Sequence, residues 1–324
     1  MIVTLTLNPS LDLTYHLGES SVGEVDVHRA ASATIEASGK GVNVSRALHA
    51  NGVGTIAILP LGGATGHHLS ELLRAEGVAH RVISQATGTR INTTIALAQG
   101  QTAKVNGPGG PLRAEDVDHL KQEVEAALQA VPSTGKVWLA ICGSLPPGVE
   151  PTVIGDFVEL AHANKARCAV DASGAALAAA ISAGADLLAP NRIELAEVDP
   201  QAARTTSLRE LGRVAAHLAR NTRAELLVSL GRDGALFTDG EVILHGHGPA
   251  LTPVNTAGAG DALLSGWLAG GATAPQRMAR AIRWGRAACL SPMTVAPALS
   301  EPDASSAVIA VDDISKDDTG RSQP

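Results

Sequence analysis

The run Val254-Asn255-Thr256-Ala257-Gly258-Ala259-Gly260-Asp261 has the residue types needed to handle an anion. Ala257 to Gly260 are small enough for the backbone to approach a ligand closely, and Gly258 and Gly260 tolerate positive φ. The apolar run Ala262-Leu263-Leu264-Ser265-Gly266-Trp267-Leu268 then predicts a buried helix. A small-residue turn opening a helix aims several free N–H groups, with the helix dipole behind them, at one spot. Asp261 adds a carboxylate at the mouth of that anion hole. A general base beside a transferring phosphoryl group explains the combination. A glycine-rich turn with Asp261 as an ordinary N-cap explains the spacing as well, and these residues alone leave both readings open.

Further polar and glycine clusters fall just after predicted strands: Asn8–Asp12, Gly62-Gly63, Gly143-Ser144, Asp171–Ser173, Asn191–Glu194 and Ser229–Gly231. Ligands of open α/β sheets sit at the carboxyl ends of the strands, so this convergence says more than any one cluster. Asp12 can accept two hydroxyl groups. Gly39, Lys40 and Asn43 lie on a glycine turn opening a helix, where Lys40 can pair with a phosphate and Asn43 with a hydroxyl. Arg90 offers a bidentate fork for a phosphate. Asn191 and Glu194, three apart, share a helical face; their oxygens suit Mg²⁺, mostly through water, or simply cap a helix start. His67-His68 is no metal pair, because adjacent helix residues diverge, and it reads as solvated surface.

Asn255 to Leu268 resembles the C-terminal motif of the ribokinase-like sugar kinases of the phosphofructokinase B type. Gly39-Lys40-Gly41-Val42-Asn43-Val44-Ser45-Arg46, followed by Gly52 and Gly62, resembles that family's N-terminal motif. The motifs stand in the right order, roughly 200 residues apart, and the similarity runs from Met1 to about Pro297. The resemblance implies an ATP-dependent carbohydrate kinase with Asp261 as catalytic base and the backbone of Gly258, Ala259 and Gly260 as anion hole. It implies sugar contacts from Asp12, Gly39, Lys40 and Asn43, and contacts to a phosphorylated sugar from Arg90, Asn92 and Ser144. Arg29, on another lid segment, is either a contact to the same phosphate from a partner subunit or a plain surface charge. Ser229, Gly231, Asn191, Gly258 and Gly260 are implied on the nucleotide, and Asn191 and Glu194 on Mg²⁺.

The Gly39-Lys40-Gly41 form resembles the sugar-phosphate branch, which includes 1-phosphofructokinases and tagatose-6-phosphate kinases; the minor bacterial 6-phosphofructokinases usually show only glycines there. The resemblance therefore implies phosphorylation of fructose 1-phosphate to fructose 1,6-bisphosphate, with tagatose 6-phosphate and fructose 6-phosphate as rival substrates. The chain departs from the pattern at several positions. Ser38 replaces Ala or Gly, Thr94 stands where many of these kinases carry Lys, Asn106-Gly107-Pro108-Gly109 replaces Asn-Glu-Pro-Gly, Ala189 replaces Lys, and Asn255 replaces Ser or Asp. A non-catalytic sugar-phosphate sensor on the same fold is the alternative of a different class; intact Asp261 and Gly258–Gly260 argue against it. A dinucleotide-binding dehydrogenase would want Gly-x-Gly-x-x-Gly after the first strand, where Leu7-Asn8-Pro9-Ser10 stands.

The positioning elements read as alternating apolar strands and helices. Strands are expected at Ile2–Leu7, Ile56–Pro60, Val137–Ile141, Cys168–Asp171, Leu187–Ala189 and Leu226–Leu230. Helices are expected at 40–51, His67–Glu76, 114–130, Val153–Asn164, Glu194–Val198, Leu208–Arg220, from about Gly260, and at Ala274–Leu290. That rhythm argues for an α/β fold with a doubly wound, mostly parallel sheet. Two stretches, about 11–37 and 88–108, alternate in period two and read as an antiparallel flap inserted into a domain spanning 1–299. The resemblance implies that this flap is a β-sheet lid shared across a homodimer. From about 300 to 324 the chain is polar and acidic and reads as a loose tail.

Composition excludes other classes. A formal charge of −7 and only three Trp, one Tyr and two Phe supply neither the basic stripe nor the stacking platform of a nucleic-acid binder. No apolar run reaches membrane-spanning length, and Met1–Asn8 alternates like a strand without a basic leader. Cys142, Cys168 and Cys289 are odd in number and widely spaced, which reads as buried thiols in a reducing cytoplasm.

Overall fold

The structure, a computed structural model, describes residues 1–18, 27–98, 102–131, 136–296 and 308–315. In chain order the elements are β1 (Ile2–Leu5), β2 (Ser10–Leu17), β3 (Ala30–Ser38), α1 (Lys40–Ala50), β4 (Thr55–Leu61), α2 (Gly63–Ala75), β5 (His80–Ser84), β6 (Arg90–Ala96) and β7 (Thr102–Asn106). There follow α3 (Ala114–Gln129), β8 (Trp138–Cys142), α4 (Thr152–Ala163), β9 (Arg167–Asp171), α5 (Gly174–Ser182), β10 (Leu187–Leu188), α6 (Arg192–Val198), α7 (Leu208–Thr222) and β11 (Glu225–Ser229). The chain closes with β12 (Ala235–Thr238), β13 (Ile243–His247), α8 (Ala259–Leu268), α9 (Ala274–Leu290) and β14 (Ala310–Asp313).

Among the described residues, ten strands form the main sheet in the order β14-β13-β12-β11-β10-β9-β8-β1-β4-β5. From β11 through β5 all pairs are parallel, and β12, β13 and β14 extend that edge antiparallel. The central strands β1 and β8 are buried at every position, as a parallel sheet covered on both faces requires. On one face, α1, α8 and α9 pack through Val44, Leu48, Leu264, Trp267, Met278 and Ile282, and Leu69 and Leu73 of α2 close a smaller cluster beneath the lid. On the other, α3, α4, α5 and α7 cover the sheet with Leu120, Phe157, Leu177 and Leu211. Local signals fix the helix starts: Ser207 with Glu210 opens α7 and Thr273 with Gln276 opens α9 as reciprocal capping boxes.

The lid is a separate four-stranded sheet in the order β3-β2-β6-β7. Its outer pairs are antiparallel, but β2 and β6 run parallel, so the expected antiparallel flap is a mixed sheet. The reason is connectivity: β2 and β6 each leave the main domain in the same direction, from the ends of β1 and β5. Residues 19–26 and 99–101 of the expected lid segments lie outside the described residues.

The expected loose tail needs correction at 310–313. These residues pair with β13 as β14, Ile309 and Val311 packing against the α8–α9 cluster and Ile314 against the opposite face. An open sheet edge at β13 offers unpaired backbone groups, and the intervening Val311 and flanking Ile309 and Ile314 have apolar sites to fill. Residues 300–307 and 316–324 lie outside the described residues. No helix among the described residues is long and apolar enough to cross a membrane.

Candidate active site

The carboxyl ends of the central strands open under the lid into a cavity of about 430 Å³. Its wall brings together Asp12, Gly39, Lys40, Asn43, Arg90, Asn92, Asn191, Glu194, Ser229, Gly258, Gly260 and Asp261 from the expected set. Ala259 lies between two of these in the same turn. Ser144, Arg29 and Gly231 are not in the wall. Ser144 reaches it only through Asn8: its Oγ accepts from Asn8 Nδ2 at 3.2 Å, and the Asn8 carbonyl accepts from Arg90 of the wall. Arg29 is exposed just ahead of β3, and Gly231 begins an exposed turn after β11.

The N-terminal motif shapes the helix that carries Lys40 and Asn43. Gly39 is its N-cap at φ 116°, a conformation side chains rarely adopt. A Cβ on Gly41 would sit 2.5 Å from Thr6 Oγ1, so this glycine lets α1 lie directly on the chain leaving β1. Helix α1 in turn packs on α8, where Ser265 Oγ donates to Asp261 O at 2.6 Å and to Val44 O at 3.3 Å. That contact sets buried Asn43 against buried Asp261, its Nδ2 donating to Asp261 Oδ2 at 2.8 Å.

Gly258, not Asp261, is the N-cap of α8; it has φ 73° and provides no side-chain cap. Asp261 is three residues further on, so the ordinary N-cap reading does not describe it. A Cβ on Gly258 would meet Thr294 O at 2.3 Å, whereas the same position on Gly260 faces open space. The first-turn N–H groups of α8 have no intrahelical acceptor and open onto the cavity beside Gly260. This is the cradle that a phosphate chain fits.

Burial pushes the Asp261 carboxyl up to about 7, and the neighbouring carboxylate of Asp171 adds to the rise. The Asn43 hydrogen bond and the charge of Lys40 oppose it, and Asp12 reinforces it more weakly. Lys40 donates to Asp171 Oδ1 at 2.7 Å and lies 3.7 Å from Glu194 Oε1. Burial alone would lower its pKa, but Asp171, Glu194 and Asp261 together hold it above the ordinary lysine value. Lys40 is thus set among carboxylates, Asp261 being one of them, in the wall of the cavity that Arg90 also lines.

Asn191 and Glu194 form a reciprocal capping box on α6: Asn191 Oδ1 accepts from the Ile193 and Glu194 N–H groups, and Glu194 Oε2 accepts from Asn191 N. The helix-cap alternative therefore describes Asn191 Oδ1, while Glu194 Oε1 faces Lys40. Among the described residues, Asp12, Asp171, Glu194 and Asp261 face the cavity against Lys40, Arg90 and Lys104. Asn191 Oδ1 is committed to the cap, so of the expected Mg²⁺ pair it is Glu194 Oε1, a hard oxygen in the cavity wall, that is left to hold the ion.

Toward the lid, Asp12 Oδ1 accepts from Ser10 Oγ at 2.7 Å and from Asn92 Nδ2 at 3.0 Å, which orients the carboxylate. Arg90 donates to the backbone carbonyls of Gly107 at 3.0 Å and Asn8 at 2.9 Å, so it ties the lid hairpin to the end of β1 while lining the cavity. Two charged wall residues carried no expected role. Asp171 stood in a noted strand-end cluster without an assignment. Lys104 stands directly opposite Thr94 across the β6–β7 pair, on the face shared with Asn92 and Asp12. The cation missing at 94 is supplied from the next strand. Only the hairpin register, absent from a linear reading, brings it there.

Residues 5–294 match the pfkB family carbohydrate kinase. A 1-phosphofructokinase of Haloferax volcanii is 37% identical over 269 residues, covering 83% of each chain. The ATP-dependent 6-phosphofructokinase isozyme 2 of Escherichia coli is 33% identical over 267 residues, covering 81% of this chain and 83% of that one. The crystal structure of Escherichia coli phosphofructokinase-2 in complex with substrates and products superposes with a TM-score of 0.82 at 31% identity, covering 91% of this chain and 95% of the other.

Proposed function

The chain belongs to the pfkB family of carbohydrate kinases, and from that premise we propose that it is a 1-phosphofructokinase, transferring the γ-phosphoryl group of ATP to fructose 1-phosphate. The observation that carries the reading is Asp261. It is a buried carboxylate pushed up to about 7, held by Asn43, at the open N-terminus of α8. A base poised near neutrality accepts a proton effectively in the transition state without being locked ionised. Asp261 takes the proton of the acceptor hydroxyl as that oxygen attacks phosphorus. The first-turn N–H groups of α8, fixed before the reaction, stabilise charge on the transferring group. Glu194, through Oε1, would hold Mg²⁺, which when bound supplies countercharge to the triphosphate. Ser229, near the end of β11, and Gly260 border the nucleotide side; Asp12 and Asn92 bind sugar hydroxyls; Arg90 and Lys104 face the substrate's own phosphate. Closure of the lid excludes water and limits wasteful ATP hydrolysis.

Curated 1-phosphofructokinases of Haloferax volcanii and Bacillus subtilis support the choice of substrate. 6-Phosphofructokinase is the second reading, favoured by the displacement of the lid cation from 94 to 104; tagatose-6-phosphate kinase is a third. A coupled assay of ADP release over fructose 1-phosphate, fructose 6-phosphate and tagatose 6-phosphate tests the assignment. Greatest kcat/KM on fructose 1-phosphate is expected; absence of ATP turnover on every sugar phosphate would favour a non-catalytic sensor.

The assembly belongs to the same proposal. The lid face opposite Asp12 and Lys104 exposes Tyr15, Ile35, Ile91 and Val105, the last at 67%. An apolar sheet face of this kind fits a second copy of the chain, which supports a homodimer through the lid; exposed Arg29 is the residue that would serve the partner's phosphate site in it. Three free cysteines, two of them fully buried with thiol pKa values raised by that burial, suit a cytoplasmic enzyme.

A further inference from the structure

On the edge of the main sheet far from the lid, two histidines and an aspartate converge. His245 and His247, two apart on β13, share one face of the strand. Their rings stack at 4.8 Å between centroids and 23° between planes. The antiparallel register sets Asp312 of β14 directly opposite His245, so its carboxylate emerges on the same face. Asp312 Oδ2 lies 3.0 Å from His247 Nε2. One donor atom from each of the three residues falls within 4.8 Å of the others.

The protonation pattern favours ligation. His245 Nε2 lies 2.7 Å from the carbonyl oxygen of Asp233. A carbonyl only accepts, so Nε2 carries the hydrogen and Nδ1 keeps its lone pair. Metal-binding histidines characteristically donate their second nitrogen in this way, which fixes tautomer and ring orientation. Both histidines are half-buried and Asp312 is exposed, leaving an entry path and room for water at a further position. Ligands at about 2.0–2.2 Å in a tetrahedron stand roughly 3.3–3.6 Å apart, so the donors need only a small contraction.

We propose that His245, His247 and Asp312 bind a divalent transition-metal ion of the zinc class, stapling β14 to β13. Two imidazoles and one carboxylate select zinc, cobalt or nickel over the hard, oxygen-seeking magnesium, so the site is chemically distinct from the one under the lid. The bound ion would fasten the last described strand to the sheet. Through His245 it would also brace the turn at Gly231–Asp233, which follows the cavity-lining Ser229.

The test uses the full chain without a histidine tag, stripped by chelator and held in excess Mg²⁺. Zn²⁺ titration by calorimetry and the visible d–d absorption of added Co²⁺ are read together with the thermal midpoint. The expected result is one equivalent bound, a raised midpoint, and at least about tenfold weaker binding in His247→Ala and in Asp312→Asn. Asp312→Asn changes only an exposed side chain and so reports on folded protein. No saturable Zn²⁺ or Co²⁺ binding, or wild-type binding in both variants, would overturn the site.

Discussion

Asn43 and Asp261, 218 residues apart in sequence, meet at 2.8 Å inside the protein. One is in the first turn of α1 and the other in the first turn of α8, and the packing of those helices fixes both. The bond does two things. It aims the carboxylate, and it opposes the upward push that burial and Asp171 exert on its pKa. The two glycine-turn motifs of the chain are therefore halves of one device.

Asp261→Asn should lower kcat by about 10²–10⁴, the size of a general-base contribution, with little change in substrate KM. It should also stabilise the free protein. The folded pKa of about 7 stands above the unfolded 3.8, so folded protein holds that proton more tightly. The stability this contributes is full below about 3.8 and is lost as pH rises through about 7. Asn has no proton to lose, so the variant's advantage should grow over that window toward an upper bound of about 4 kcal/mol. Denaturant midpoints compared at about pH 5 and pH 8 check this; a pH-independent difference would contradict the buried-acid assignment.

Asn43→Ala removes a bond that holds the Asp261 pKa down. The acid limb of the kcat/KM profile should move to higher pH, with part of the lost activity recovered under alkaline conditions. An unmoved limb would show that Asn43 does not tune Asp261.

Lys104→Ala should weaken the sugar phosphate and spare ATP. A charge-assisted hydrogen bond is worth about 1.5–3 kcal/mol, roughly 10- to 100-fold in KM. Arg90→Ala should do the same and in addition loosen the lid, since it loses the clamps to Asn8 O and Gly107 O. A rise in the KM for ATP alone would place both residues at the wrong end of the cavity.

Arg46→Leu should destabilise the fold by about 3–5 kcal/mol. Arg46 is 3% exposed and bonded to both Glu36 and Glu76. Without it, Glu36 remains a buried, uncompensated charge, and Glu36 also holds Thr294, the residue packed against Gly258. Urea unfolding measures the loss; a change under about 1 kcal/mol would mean that water or rearrangement replaces the ion pair.

Residues that act within one contiguous motif were legible before the structure. Gly258 to Asp261 and Gly39 to Asn43 each lie on a turn opening a helix, and the chemistry of such a turn is local. Partners that depend on register or topology were not. Lys104 enters the site only through its pairing with Thr94, and Asp171 only because β9 ends beside α1. Lys40 follows the same rule: its type announces a phosphate partner, and the carboxylates beside it, Asp171 and Glu194, come from elements far away in sequence. Helix α5 escaped because its alanine-rich sequence lacks apolar–polar contrast, and β14 because a polar, acidic stretch hides Val311 and its apolar neighbours.

The central claim is that the lid cations are built for a phosphate already on the sugar. A site that pairs a polar group rejects an analogue lacking it by up to about 10⁴–10⁵. The most direct measurement is kcat/KM for fructose 1-phosphate against free fructose under saturating ATP and Mg²⁺. Fructose 1-phosphate should be preferred by several orders of magnitude; comparable values for the two would contradict the sugar-phosphate account and make this an ordinary sugar kinase.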